Sequence, residues 1–174
     1  MEMLVAIGLC GIVMTIIGTL FVLGFRSFTG LGNYAMLSGQ SRLALDLISE
    51  EVRAATEVLA ANTNLPVRSL TLTNAVDASA TTFTWDSSSG VLTSEKTWVL
   101  TDTTQFRTNL TGCDDWGFCM FLRSPNNNWS FYPTANPAFC KQVSMSWTCS
   151  RTVMGQKINT ESSVSAEFVL RNKP

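Results

Sequence analysis

Any chemistry in this chain has to come from thiols and carboxylates, because 13 acidic residues and five cysteines stand beside no histidine at all. Histidine titrates near neutral pH and is the commonest metal ligand, so general acid–base catalysis and most metal sites lose their usual residue. No serine or cysteine has a histidine to act as its base, and no glycine-rich phosphate loop is present. Asp114 and Asp115, with Asp102 or Asp86, could offer oxygens to calcium. They lack the spacing of a D-x-[DN]-x-[DN]-G loop and read as a solvated acidic turn. The expectation is a protein that is not an enzyme: no catalytic residues, no metal, no cofactor and no small-molecule substrate.

The cysteines divide by place. Cys10 falls in an apolar run, where it reads as a small buried hydrophobe. Cys113, Cys119, Cys140 and Cys149 fall in the polar C-terminal half. Such an even set suggests two disulfides in an oxidising compartment. A four-thiolate zinc site is disfavoured, because five and eight residues intervene within the pairs, unlike tight zinc-binding spacings. If Lys141 to Cys149 is one strand, Cys140 and Cys149 lie about 30 Å apart and cannot bond to each other. Cys113 and Cys119 would then pair with Cys140 and Cys149 over long range. A bend near Met145 would restore two sequential loops, so both pairings stay open.

Charge gives little purchase for other partners. The formal net charge is −1 and charged residues make up 14% of the chain, so totals argue for neither nucleic acid nor anionic membranes. Arg107, Arg123, Lys141 and Arg151, with Trp116 and Trp129 nearby, amount to an ordinary surface, and no nucleic acid is expected. Asn109-Leu-Thr and Asn128-Trp-Ser match the N-glycosylation pattern, which arises easily in a chain rich in these residues.

The elements that must position these groups begin with an apolar run. Met3 to Phe25 carries no charge, and as a helix it would be roughly 35 Å long, enough to span a bilayer core with some tilt. It lacks the basic start of a secretory signal and exceeds the usual apolar core of one. Glu2 is a lone carboxylate at its tip, costly to bury without a partner. Gly8, Gly11, Gly18 and Gly24 weaken the helix locally, so its stability depends on packing. Gly30, Gly32 and Gly39 loosen the middle of the helix and leave room for a break or bend near Gly30 to Asn33. Beyond it, Leu37, Ala44, Ile48, Val52, Ala55 and Leu59 form one apolar face, with Arg42, Asp46 and Glu51 on the solvated flank. Asn62, Asn64 and Pro66 close the helix. The period then changes to two: Ser69–Thr73, Thr82–Trp85, Val91–Thr93, Thr97–Thr101, Lys141–Cys149 and Ser163–Leu170 read as short antiparallel strands. Gly112–Cys119 could be a disulfide-tied loop before a strand from Met120, and Phe83, Trp85 and Trp98 read as packing residues. The organisation expected is an anchor over 1–28, an amphipathic helix over 29–60 and a β-rich head over 61–174: an α+β fold with a long helix packed on an antiparallel sheet.

The opening Glu2-Met-Leu-Val-Ala-Ile-Gly-Leu-Cys-Gly resembles the start of the type IV pilin and pseudopilin family, whose mature chains read F-T-L-x-E before an apolar stretch. Met1 would be the x and Glu2 the glutamate, with three residues before Met1. Ser41-Arg-Leu-Ala-Leu-Asp-Leu-Ile-Ser-Glu-Glu-Val-Arg-Ala-Ala-Thr56 is similar to the amphipathic half of the helix in J-type pseudopilins and W-type minor pilins. The resemblance implies a lollipop-shaped filament subunit. Its partners would be further copies of itself or other pilins, in an extracellular filament, after a stage as a single-pass inner-membrane protein. It implies that Glu2 neutralises a neighbour's N-terminal amine, and that the segment from Gly11 to Gly18 can stretch. The alternative is an adhesin or receptor domain for which the helix is only a tether.

Overall fold

The computed structural model describes residues 2–123, 130–153, 156–157 and 162–170. Met1, the turn expected over 124–128, the Asn128 acceptor and Trp129 lie outside them. Helix α1 (Glu2–Ala54) runs 53 residues without a break, roughly 80 Å at the usual rise. No break interrupts it near Gly30 to Asn33, where the glycines left one open. Glycine weakens a helix but removes no hydrogen bond, and no proline is there to remove one. The Thr29 hydroxyl bonds the Phe25 carbonyl from outside the ladder and leaves it closed.

The helix stops at Ala54, earlier than the expected boundary at residue 60. Ala55 N–H still donates to the Glu51 carbonyl at 3.0 Å, but Thr56 N–H turns to the Thr73 carbonyl at 2.8 Å. That exchange starts β1 (Glu57–Asn62), which pairs antiparallel with β2 (Val67–Asn74). The head therefore begins by Glu57, and Leu59, expected on the helix face, is exposed on an edge strand.

Three more strands complete an antiparallel meander in chain order: β3 (Ser79–Asp86), β4 (Val91–Trp98) and β5 (Thr103–Thr111). β3 shows the period that made it legible, with Ser79, Thr81, Phe83 and Trp85 buried and the residues between them partly exposed. β4 unites Val91–Thr93 with the start of the run expected at Thr97–Thr101. β5 had no apolar alternation to reveal it, since Leu110 is its one buried residue.

Gly112 then carries the chain into a second sheet. Its φ is +67°, and a Cβ there would stand 2.8 Å from the Ser150 carbonyl oxygen, so both conformation and space require glycine. The second sheet has the order β11-β8-β6-β7, from β6 (Cys113–Arg123), β7 (Phe131–Pro133), β8 (Gln142–Cys149) and β11 (Ser162–Val169). A short ribbon of β9 (Thr152–Val153) and β10 (Gln156–Lys157) stands apart, and Pro137–Phe139 is a single 3₁₀ turn. Cys113 to Cys119, which could have been a tied loop, is the first half of one extended strand.

Leu37, Ser41, Ala44, Ile48 and Val52 form the buried stripe of α1, which packs on β5 and β11. Trp85, Trp116 and Trp147 are fully buried around it. Side chains of this size each stabilise the fold by about 1.5–3 kcal/mol through burial, so the second part of α1 is welded to the head.

Candidate functional site: the unsheathed helix and its seat on the head

The first part of α1 is the opposite. Met3 is 81% exposed, Phe21 76% and Phe28 77%, and no residue in its most apolar window is buried. This helix is long and apolar enough to cross a membrane. Its polar side chains are already met from within: Thr15 donates to the Gly11 carbonyl at 2.7 Å and Thr19 to the Ile16 carbonyl at 2.7 Å. Glu2 lies exposed in the first turn, where the helix dipole favours an anion. Cys10, expected to be buried, is exposed with the rest of this surface, because the head does not reach it.

One face of the rod is unlike the others. At about 100° per residue, Gly8, Gly11, Thr15, Gly18 and Thr19 fall on one side of α1, while Gly24 falls opposite. A Cβ at Gly8, Gly11 or Gly18 would meet nothing within 4 Å. The result is an open groove of small residues, the kind of surface that lets a second helix approach closely.

The seat of α1 lies where the rod meets the head. Arg151 donates to the Met36 sulfur at 2.8 Å and to the Gln40 side-chain oxygen Oε1 at 3.4 Å. One turn further, the Trp147 indole N–H donates to the Ser41 hydroxyl at 3.4 Å inside the core. Cys113 and Cys149 stand opposite each other between β6 and β8, both 1% exposed. Contact with the Cys149 thiol, then burial, pushes the Cys113 thiol well up. The same contact, aided by Ser41 against the opposing effect of burial, holds Cys149 below its ordinary value. The Trp85 indole donates to the Cys113 carbonyl at 3.1 Å, and Arg68, stacked over Trp85, bonds the Trp116 carbonyl and pairs with Asp115 at 2.8 Å. These contacts join both sheets and the helix.

At the far end of the head a charge network pins the helix to the first sheet. Lys96 lies 3.0 Å from Glu51 and 3.5 Å from Asp77, and the Thr81 hydroxyl donates to Glu51 at 3.1 Å. Glu51 is thus part of the seat and no mere solvated flank, while Arg42 and Asp46 form no ion pair among the described residues. Burial opposes ionisation of Asp77, but hydrogen bonds from Ser79 and the Lys96 ammonium outweigh it and hold the carboxyl below its ordinary 3.8. A depressed carboxyl stabilises the fold above its unfolded value and loses that contribution as pH falls through its lower folded value. Denaturant titrations at about pH 6 and about pH 3 should therefore show a smaller loss on acidification in Asp77→Asn than in the parent chain.

The remaining residues singled out from sequence do not converge. Cys119 faces outward opposite Ser144, in a groove of about 280 Å³ lined by Thr63, Arg68, Gly117, Ser144 and Ser146 among others. Cys140 is buried ahead of β8, its thiol donating to the Gln142 carbonyl at 3.3 Å. No disulfide is formed. Trp116 is buried and offers no stacking face. Among the described residues no three His, Cys, Asp or Glu side chains gather as a metal site would require. Ser41, Arg68 and Lys96 escaped sequence reasoning. Only Ser41 left a signal, a hydroxyl in register with an apolar stripe. Compared with known protein families and with curated proteins, the chain matches neither a family nor a curated sequence.

Proposed function

We propose that this chain is a structural subunit of a type IV pilus-like or type II secretion-like filament, assembled through α1 and held as a single-pass inner-membrane protein beforehand. The observation that carries the reading is the division of α1. Its C-terminal third is welded into the head, while Met3 to Phe25 carries no charge, lies exposed outside the head and bears a row of small residues on one side. An apolar rod has two solvents available, lipid and a bundle of like helices. Lipid does not need the groove; a neighbouring helix uses it. The resemblance of the Glu2 segment to pilin openings supports the same reading.

Glu2 is the register device. A carboxylate drawn into an apolar bundle costs several kcal/mol unless it meets an opposite charge, and a neighbour's N-terminal amine at the right axial rise supplies one. The head lies outside the membrane in an extracellular filament and carries no catalytic role. Substituting Glu2→Ala in cells producing the full chain should lower filament yield by about tenfold or more, the equivalent of about 1.4 kcal/mol per contact, with membrane insertion unchanged.

The second reading is a tethered adhesin or receptor, favoured by the outward groove beside Cys119 and Arg68. A tether has no use for Glu2. Surface display and function that survive Glu2→Ala intact select the tether and reject the filament.

A further inference from the structure

We propose that Cys113 and Cys149, both free thiols in this structure, are the pair that oxidises to a cross-strand disulfide at the seat of α1, while Cys119 and Cys140 remain outside it. The two residues are register partners in the antiparallel pair of β6 and β8. Ser150 N–H donates to the Gly112 carbonyl at 2.9 Å, and Cys113 N–H turns away to the Gly90 carbonyl at 2.8 Å. That pattern makes Cys113 and Cys149 a non-hydrogen-bonded pair, in which Cα atoms stand about 4.5 Å apart. Bridged cysteines need roughly 4.4–6.8 Å. Both side chains point to the inner face of the sheet, where the two thiols are in contact with each other.

The other two cysteines offer no competing geometry. Cys119 projects from the outer face of β6, and Cys140 is wholly buried before β8 begins. Neither sequential pairing survives, since Cys113 and Cys119 share one extended strand and Cys140 and Cys149 bracket another.

The bond forms by exchange with a disulfide donor, protein or small molecule, in an oxidising compartment. One thiolate attacks the donor's S–S bond and makes a mixed disulfide. The second thiolate displaces the donor's remaining sulfur, so the two cysteines lose two electrons and two protons and the donor leaves as two thiols. Exchange takes place as β6 pairs with β8, before both thiols are buried in the finished head. The bridge then fixes the two strands beneath the point where α1 enters the head. This holds whether the rod ends in a filament or in a bilayer, and its test does not depend on that choice.

The test is peptide mapping of the full chain, purified in detergent from an oxidising compartment and digested without reduction. Trypsin cuts at Arg107, Arg123, Lys141 and Arg151, and chymotrypsin separates Cys113 from Cys119 at Trp116. The expected result is a Cys113–Cys149 linked peptide, about 2 Da lighter than its dithiol parts. Dithiothreitol should lower the melting temperature of the head by roughly 10 °C. That shift should persist in Cys119→Ser/Cys140→Ser and vanish in Cys113→Ser/Cys149→Ser. A linkage through Cys119 or Cys140 overturns the assignment, as does a chain whose four head thiols are all alkylated in non-reducing denaturant. If Cys113→Ser/Cys149→Ser does not fold, the map of the parent chain decides.

Discussion

Trp147→Ala should destabilise the head by about 3–5 kcal/mol, a cost typical of emptying a fully buried aromatic site. Trp147 is 1% exposed and faces Trp116 across the β6–β8 pair. Its N–H meets Ser41 on the helix, the only hydroxyl in the buried stripe of α1. Removal leaves a cavity where helix and second sheet meet through side chains, and it takes the indole partner from the buried Ser41 hydroxyl. Domain stabilities run to about 5–15 kcal/mol in total, so the variant should sit near the edge of folding. Denaturant unfolding followed by near-ultraviolet circular dichroism measures the loss. Phe106→Ala, at an exposed position of β5, serves as the comparison and should change stability by less than about 0.5 kcal/mol.

A second substitution separates assembly from folding. Gly11→Leu combined with Gly18→Leu should abolish filaments while leaving membrane insertion and the melting temperature of the head unchanged. Both added side chains enter open space within the monomer, and leucine is a better helix former than glycine. In lipid the change is therefore neutral or favourable. Between packed helices it fills the groove made by Gly8, Gly11, Thr15, Gly18 and Thr19 and holds neighbouring backbones apart. Sedimentation of sheared surface material against a membrane-fraction control reads both effects in one experiment. Normal filament yield from the double variant would mean that this face is not the contact.

What could be read from sequence was whatever depends on local period. The apolar rod, the stripe from Leu37 to Val52, the inward Phe83 and Trp85, and the alternation of Val143, Met145 and Trp147 each follow from the spacing of neighbours. β1 was hidden because Leu59, Ala60 and Ala61 favour helix, and only pairing with β2 makes a strand of them. β5 was hidden because Gln105 and Arg107 occupy positions where an inward alternation would place apolar side chains. The thiols show the same limit in another form. Their even number indicated bridging chemistry, but their partners depend on the register of two strands far apart in the chain, shifted by a bulge beside Asp114. Glu51 looked like a solvated flank because its partner Lys96 lies on a strand that no local pattern connects to it.

The account as a whole rests on α1 exchanging lipid for copies of itself. Electron microscopy with helical reconstruction of material released from cells producing the full chain tests this directly. It should show ordered filaments in which the stretch from Met3 to Met36 forms a central bundle, Gly11 and Gly18 face a neighbouring helix, and Glu2 lies beside another subunit's N-terminus. Single copies whose apolar stretch is surrounded only by bilayer or detergent would contradict it.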